Sequence, residues 1–240
     1  MMNNRRMATV RMRELLDEGS ERTHVKLCGM FREQDIDVVN EVLPDLCGFI
    51  VDYPSSHRHV DRDRLQQLVD RLDPRVPAVG VFVDEPLGLV SELADTVLDM
   101  VQLHGNEGNP YIVFLRELVD IPICQAIRVR TPDDVRRANE SKADIVLLDG
   151  GAGSGKAFDW SLIRGVERPF ILAGGLDPQN VGEAIDRFHP WGVDMSSGIE
   201  TDRLKDPGKM RAAVAAVRGR DEQLRDLSGS VRDSRGTVHS

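Results

Sequence analysis

No apolar run in this 240-residue chain approaches the about 18 residues that a membrane-spanning helix needs, so no membrane partner is expected. Cysteine is scarce. Cys28, Cys47 and Cys124 lie far apart, an odd count without metal-ligand spacing, which argues against a disulfide framework and fits a reducing compartment. An excess of positive charge is missing as well. The 31 Lys and Arg residues stand against 40 Asp and Glu, a net charge of −9. A broad nucleic-acid surface is therefore not expected, and an anionic ligand needs a local positive site. The opening stretch, MMNNRRMATVRMRELLDEGSER, carries charge but neither the apolar core nor the cleavage pattern of a signal peptide, so a cytoplasmic location is expected. No repeat of about 20–50 residues is evident beyond the rhythm described next.

What the chain has is alternation. Apolar runs and amphipathic segments follow one another from about residue 23 to 218. The runs are HVKLC, GFIVD, AVGVFVD, DMVQLH, ICQAIRV, DIVLLD, FILAG and GVDMSS, eight in all. Between them, Arg32–Leu43 spaces Ile36, Val39 and Leu43 on one helical face, and Asp61–Leu72 does the same with Leu65, Leu68 and Leu72. Thr131-Pro132-Asp133-Asp134 reads as an N-cap, a first-turn proline and acidic first-turn residues. Asp177-Pro178 before Val181–Phe188 and Asp206-Pro207 before Met210–Val217 repeat that pattern. Asn109–Val119 is the segment with the weakest patterning.

Eight strand–helix units in series predict a parallel sheet, and eight is the number that closes a (β/α)₈ TIM barrel. A doubly wound open sheet is the competing fold. Composition suits a single domain, at 40% hydrophobic and 30% charged. The reading assigns residues 23–219 to the barrel and 1–22 to an N-terminal extension, with a short helix over MRELLDEG covering the barrel bottom. Residues 220–240 are polar and aperiodic and are expected to be a disordered tail.

Residues two apart on a strand share a face. Lys26 and Cys28 therefore share one with His24, Gln102 shares one with His104, and Asp194 with Ser196. Asp149 shares its face with Leu147 and Ile145. Asp84 ends strand three, and Arg128 lies near the end of strand five. Polar residues thus gather at one end of nearly every strand, where the active sites of such barrels are built. Cys28 and Asp149 each end an apolar run and are each followed at once by glycine, which suggests a base and an acid serving one substrate. The bland readings are an inert buried thiol and a turn cap. Lys26 on the same face stabilises a thiolate, while an apolar strand favours a protonated Asp149, the form a general acid needs.

Gly174-Gly175 follows strand seven, and Ser196-Ser197-Gly198 follows strand eight. In barrels these two loops commonly offer backbone N–H groups to a phosphate, and glycine lets the backbone come close. GAGSGK lacks the spacing of a nucleotide-binding P-loop, because Ala157 follows the lysine. Gly153, Ser154 and Gly155 read better as a mobile lid. Arg58 reads either as a clamp for a carboxylate or as a solvated loop charge. The His57-Arg58-His59 alternation offers no recognisable metal triad, so no metal is expected.

Seven motifs carry a family likeness. In order, KLCGM, GFIVDYPSSHRHV, VGVFVDE, VQLHG, LLDGGAGSGKAFDW, LAGGLDPQNV and VDMSSGIE resemble the N-(5'-phosphoribosyl)anthranilate isomerase family of tryptophan biosynthesis, from about Thr23 to Gly219. The resemblance implies an Amadori rearrangement of a phosphorylated small molecule, with neither metal nor organic cofactor, and it leaves association with other tryptophan-pathway enzymes open. It implies Cys28 as general base and Asp149 as general acid. Arg58 matches the family's arginine facing the anthranilate carboxylate. Gly174, Gly175, Ser197 and Gly198 match its phosphate loops, and Lys26, His104 and Asp194 fall at other substrate-site positions. The chain departs from the family pattern at Phe31, where threonine is usual, and near Ser55 and His59, where a long side chain and an aromatic are usual. The alternatives are another phosphosugar isomerase or epimerase, which would favour a metal or paired aspartates, and a silent ligand-binding barrel, which would have lost Cys28 or Asp149.

Overall fold

The computed structural model describes residues 2–17, 22–150 and 162–233. Its frame is eight parallel strands: β1 (His24–Cys28), β2 (Leu46–Val51), β3 (Ala78–Phe82), β4 (Met100–Leu103), β5 (Ile123–Arg128), β6 (Ile145–Asp149), β7 (Phe170–Ala173) and β8 (Gly192–Met195). Each pairs with its sequence neighbours, and β1 pairs with both β2 and β8, so the sheet closes. The open doubly wound alternative is thereby removed. A two-residue strand, His59–Val60, adds on β2.

The helices are α1 (Met2–Asp17), α2 (Glu33–Val42), α3 (Arg62–Arg71), α4 (Leu87–Thr96), α5 (Asn109–Arg116), α6 (Pro132–Glu140), α7 (Val181–Phe188) and α8 (Pro207–Asp233). Among the described residues, the connection after β6 contains a 3₁₀ turn, Leu162–Gly165, in place of an α-helix. Thr131 caps α6 in a reciprocal box with Asp134, and Pro132 opens the helix, as the sequence predicts. Asp206 caps α8 by accepting from the Lys209 N–H at 3.0 Å. Asp177 acts differently. Its carboxylate accepts from Gln179 and Asn180 N–H, closing a turn, and Asn180 takes the N-cap position of α7. None of the described helices is long and apolar enough to cross a membrane.

Alternation decides where side chains go. Outward residues such as Val25, Leu27, Phe49 and Leu148 pack with Ile36, Leu65 and other helix residues in one large cluster. Inward residues Leu46, Val79, Met100, Cys124, Ile145 and Ile171 form a second cluster inside the barrel. Strands buried on both faces read as continuous apolar runs, as IVLL does in β6, whereas β1 is buried throughout although His24 and Lys26 put polar groups on its inward face.

The two ends differ from expectation. The N-terminal helix is longer than MRELLDEG and spans Met2–Asp17. It closes the barrel bottom: Met12 and Leu15 are 0% exposed and belong to the interior cluster. Trp191 Nε1 donates to the Leu15 carbonyl at 3.2 Å, Thr9 Oγ1 to Asp99 at 2.8 Å, and Arg13 to the Asp120 carbonyl at 2.6 Å. At the other end, α8 continues past Gly219 to Asp233 rather than giving way to a disordered tail. The stretch 220–233 lacks proline, and seven of its 14 residues are Arg, Leu, Glu or Gln, all good helix formers. Its polarity bears on burial and not on helix formation. Residues 234–240 of the expected tail lie outside the described residues.

If α1 is an integral plug, Leu15→Ala should destabilise the fold by about 2–5 kcal/mol, the usual cost of emptying a buried leucine site. The denaturant midpoint should fall. An unchanged midpoint would make α1 dispensable.

Candidate active site

Cys28 ends β1 on the inward face, with Lys26 one pleat below it and Asp194 opposite Lys26 in the β1–β8 register. Lys26 Nζ donates to Asp194 Oδ1 at 3.0 Å. On the other flank Cys28 lies opposite Gly48 of β2. A Cβ at Gly48 would fall 2.7 Å from the Cys28 sulfur and 3.0 Å from Lys26 Nζ, so glycine makes the space in which thiol and ammonium meet. Gly29, next along, has φ +77°, and a Cβ there would fall 2.6 Å from Arg58 Cδ.

Burial pushes the Cys28 thiol up and Lys26 pulls it down, with the Asp194 carboxylate pushing it up again; the net shift is upward. Lys26 thus acts in the expected direction, but burial outweighs it. For Lys26 the balance is the reverse. Burial lowers the ammonium, and Asp194 and Cys28 more than offset this, leaving it raised and charged.

Asp149 ends β6 with its carboxylate 18% exposed. His104 Nε2 lies 3.9 Å from Asp149 Oδ2. Gln102 Nε2 lies 3.1 Å from His104 Nδ1. With the amide donating there, the ring proton sits on Nε2, facing the carboxylate.

Beyond β7 and β8, Gly174 (φ +94°) and Gly175 (φ +69°) occupy the left-handed region. The 3₁₀ turn Ser197–Ile199 follows Ser196. A Cβ at Gly198 would fall 2.0 Å from the Leu176 carbonyl oxygen, so Gly198 lets the two loops touch.

Arg58, in the loop after β2, meets Glu200 along one edge of its guanidinium. Nε donates to Oε1 at 2.5 Å and Nη2 to Oε2 at 2.8 Å. Lys205 Nζ lies 2.8 Å from the same Oε1. Burial raises the Glu200 carboxyl, but hydrogen bonds from Arg58 and Lys205 overcome it and hold the pKa at about 2.

A cavity of about 250 Å³ joins these parts; Cys28, Arg58, His104, Asp149, Gly174, Gly175, Asp194 and Ser197 line it. Lys26 lies beneath Cys28, 1% exposed, and is not on the wall. Gly198 stands behind the wall and lines an adjoining depression with Asp177 and Lys209. Gly153, Ser154 and Gly155 lie outside the described residues. Arg128, which the sequence places at a strand end without a role, joins the wall, as does Ser196. Asp84 does not line it; its carboxylate instead ties the loop after β3 to Asn106. Glu200 and Lys205 had no sequence signal beyond lying in and after the last motif.

Residues 25–216 match the family described as N-(5'phosphoribosyl)anthranilate (PRA) isomerase. The chain belongs to this family. An N-(5'-phosphoribosyl)anthranilate isomerase of Acetivibrio thermocellus is 40% identical over 216 residues, covering 83% of this chain and 97% of its own. One from Caldanaerobacter subterraneus is 39% identical over 203 residues, covering 81% and 98%. Among solved structures, phosphoribosyl anthranilate isomerase of Thermotoga maritima superposes with a TM-score of 0.73 at 36% identity, covering 82% of this chain and 99% of that one. A family member solved with reduced 1-(o-carboxyphenylamino)-1-deoxyribulose 5-phosphate gives 0.71 at 35%, with the same coverage. The chain is accordingly a phosphoribosylanthranilate isomerase of tryptophan biosynthesis, interconverting an aldose and a ketose. At the family departure nearest the site, Phe31 meets the His57 ring edge-on with centroids 6.3 Å apart, so an aromatic packs against the loop that carries Arg58.

The balance at Cys28 can be measured. The ultraviolet absorbance of thiolate, taken as wild type minus Cys28→Ser, should titrate above the ordinary value of 9.0. In Lys26→Met it should move higher still. A midpoint below the ordinary value would mean that the ammonium overrides burial.

Proposed function

We propose that Cys28 and Asp149 divide the proton transfers of the isomerisation, that Arg58 receives the anthranilate carboxylate, and that the loops holding Gly174, Gly175, Ser197 and Gly198 receive the phosphate. The observation that carries this reading is that a thiol and a carboxyl at the tips of β1 and β6 line one cavity with the glycine loops.

Protonated Asp149 gives its proton to the furanose ring oxygen as the bond from that oxygen to C1 breaks. The anthranilate nitrogen supplies the electron pair, and a protonated imine results. Cys28, as thiolate, removes the proton on C2; the electron pair moves into a C1–C2 double bond and the imine π electrons return to nitrogen. The enolamine then gains a proton at C1 and loses the one on its C2 hydroxyl, which gives the ketone. Substrate and product are isomers, so one proton must travel from Cys28 back to Asp149 to restore the enzyme.

The surroundings suit both roles. A base with a raised pKa is a stronger proton acceptor, and Lys26 beside it supplies the counter-charge for the thiolate. The His104 Nε2 proton faces the carboxylate that Asp149 becomes. The setting is the cytoplasm, alongside other tryptophan-pathway enzymes.

A fluorescence assay with freshly prepared phosphoribosylanthranilate tests the pair. Cys28→Ala and Asp149→Asn should each lower kcat by about 10²–10⁴-fold, the range for loss of a general acid or base, with circular dichroism unchanged. Either variant turning over near the wild-type rate would remove its residue from the mechanism.

A further inference from the structure

Arg58 is not a free arginine. A guanidinium has two edges that can each take a carboxylate in bidentate fashion, one made by Nε and one Nη, the other by the two Nη nitrogens. Glu200 occupies the Nε–Nη2 edge through both its oxygens. The Nη1–Nη2 edge is the one Glu200 leaves for a second carboxylate, and Arg58 lines the cavity.

A single carboxylate pairing with Arg58 would cancel the charge needed to attract an anion. The fold deals with this from behind. Glu200–Thr201 and Leu204–Lys205 form a two-residue antiparallel hairpin in which Glu200 stands opposite Lys205. The turn residues Asp202 (φ +52°) and Arg203 (φ +64°) both lie in the left-handed region, although neither is glycine. Such a turn matches the twist of a tight hairpin and costs non-glycine residues backbone strain. It brings the Lys205 ammonium, 2% exposed, to 2.8 Å from Glu200, where it also donates to the Ser196 carbonyl at 2.9 Å. One carboxylate between two cations leaves the cluster net positive, and of the two cations Arg58 is the one on the cavity wall. Burial and the neighbouring Arg58 charge both lower the pKa of the adjacent His57.

We propose that Glu200 is a positioning residue for the isomerisation: backed by Lys205, it holds the Arg58 guanidinium so that the Nη1–Nη2 edge is presented to the ring carboxylate of the substrate. Specificity for a carboxylated aryl amine then depends on a residue that need not touch the substrate. The proposal rests on the assignment of Arg58 to the anthranilate carboxylate, and the test separates the two.

The probes are reduced 1-(o-carboxyphenylamino)-1-deoxyribulose 5-phosphate and the same compound without the ring carboxyl. Their dissociation constants are measured by calorimetry on the wild type, Glu200→Gln and Arg58→Ala. The carboxylated probe should bind Glu200→Gln about tenfold more weakly, the scale of one well-placed charge-assisted contact, with the decarboxylated probe within about twofold of wild type. The same comparison on Glu200→Asp, which keeps the charge and shortens the reach, should give an intermediate loss and serves if the glutamine variant does not fold. Equal weakening of both probes would make Glu200 merely structural. An unchanged preference for the carboxylated probe in Glu200→Gln, with that preference lost in Arg58→Ala, would overturn the positioning role alone. A preference that survives Arg58→Ala would overturn the assignment of Arg58 itself.

Discussion

The Lys26–Asp194 pair spans β1 and β8, inside the barrel and beneath the Cys28 thiol. Taking an ammonium and a carboxylate out of water costs several kcal/mol per ion, which their mutual attraction offsets only in good geometry. The geometry here comes from strand register. Lys26 stands opposite Asp194 on one side, and Gly48 leaves the space for its Nζ on the other. Losing either charge would leave the other buried without its partner, so the closure of the barrel and the electrostatics of Cys28 are tied to one pair. The pair also sets the character of the thiol. An isolated ammonium would drive Cys28 towards thiolate, whereas the adjacent carboxylate takes back part of that effect and burial does the rest.

The dryness that raises Cys28 begins at the far end of the barrel. Met12 and Leu15 fill the bottom against Leu46, Met100, Ile145 and Trp191, so the interior below the Lys26 layer is mostly apolar, with the buried His24 ring packed on Trp191. An empty or wet bottom layer would raise the effective dielectric around the charges above it and weaken both the pairing and the burial effect. The plug helix therefore reaches the chemistry through the medium and not through contact. The top of the barrel follows the opposite rule. Arg58 and Arg128 stand on the cavity wall, and glycine loops bring backbone close to the ligand space, as an anionic substrate requires in a protein of net charge −9.

Alternation made the barrel and the shared inward face of Cys28 and Asp149 legible, because a period of two tells which face a residue occupies. Cys28 and Asp149 could be read as inward from HVKLC and DIVLLD alone. Height along the barrel axis is another matter, since it depends on how neighbouring strands are staggered. Lys26 is inward as read, but it lies a layer too deep to form part of the cavity wall. Gly198 is in the right loop, but the Leu176 carbonyl fills the space where its side chain would be. Glu200 and Lys205 face each other only through a two-residue turn built without glycine, so the usual hairpin signature is missing. Polarity misled at the C-terminus, where it hid a helix, and at the N-terminus it left α1 looking shorter than it is.

Gly29 joins the two halves of the site. Its positive φ turns the chain directly after Cys28, and its missing Cβ leaves the space that the Arg58 side chain fills. The backbone that follows Cys28 is thus the floor on which the Arg58 side chain lies. Ser196 closes the same corner, donating its Oγ–H to the Cys28 carbonyl at 3.1 Å, while its own carbonyl accepts from Lys205. A shift of Arg58 would therefore be felt at Gly29 and the Cys28 carbonyl, and one of Lys205 at Ser196 and Glu200. In the proposed reaction, seating the aryl carboxylate and aligning C2 with the thiol become one geometric condition, because both depend on a corner where a Cβ at Gly29 would fall 2.6 Å from Arg58 Cδ.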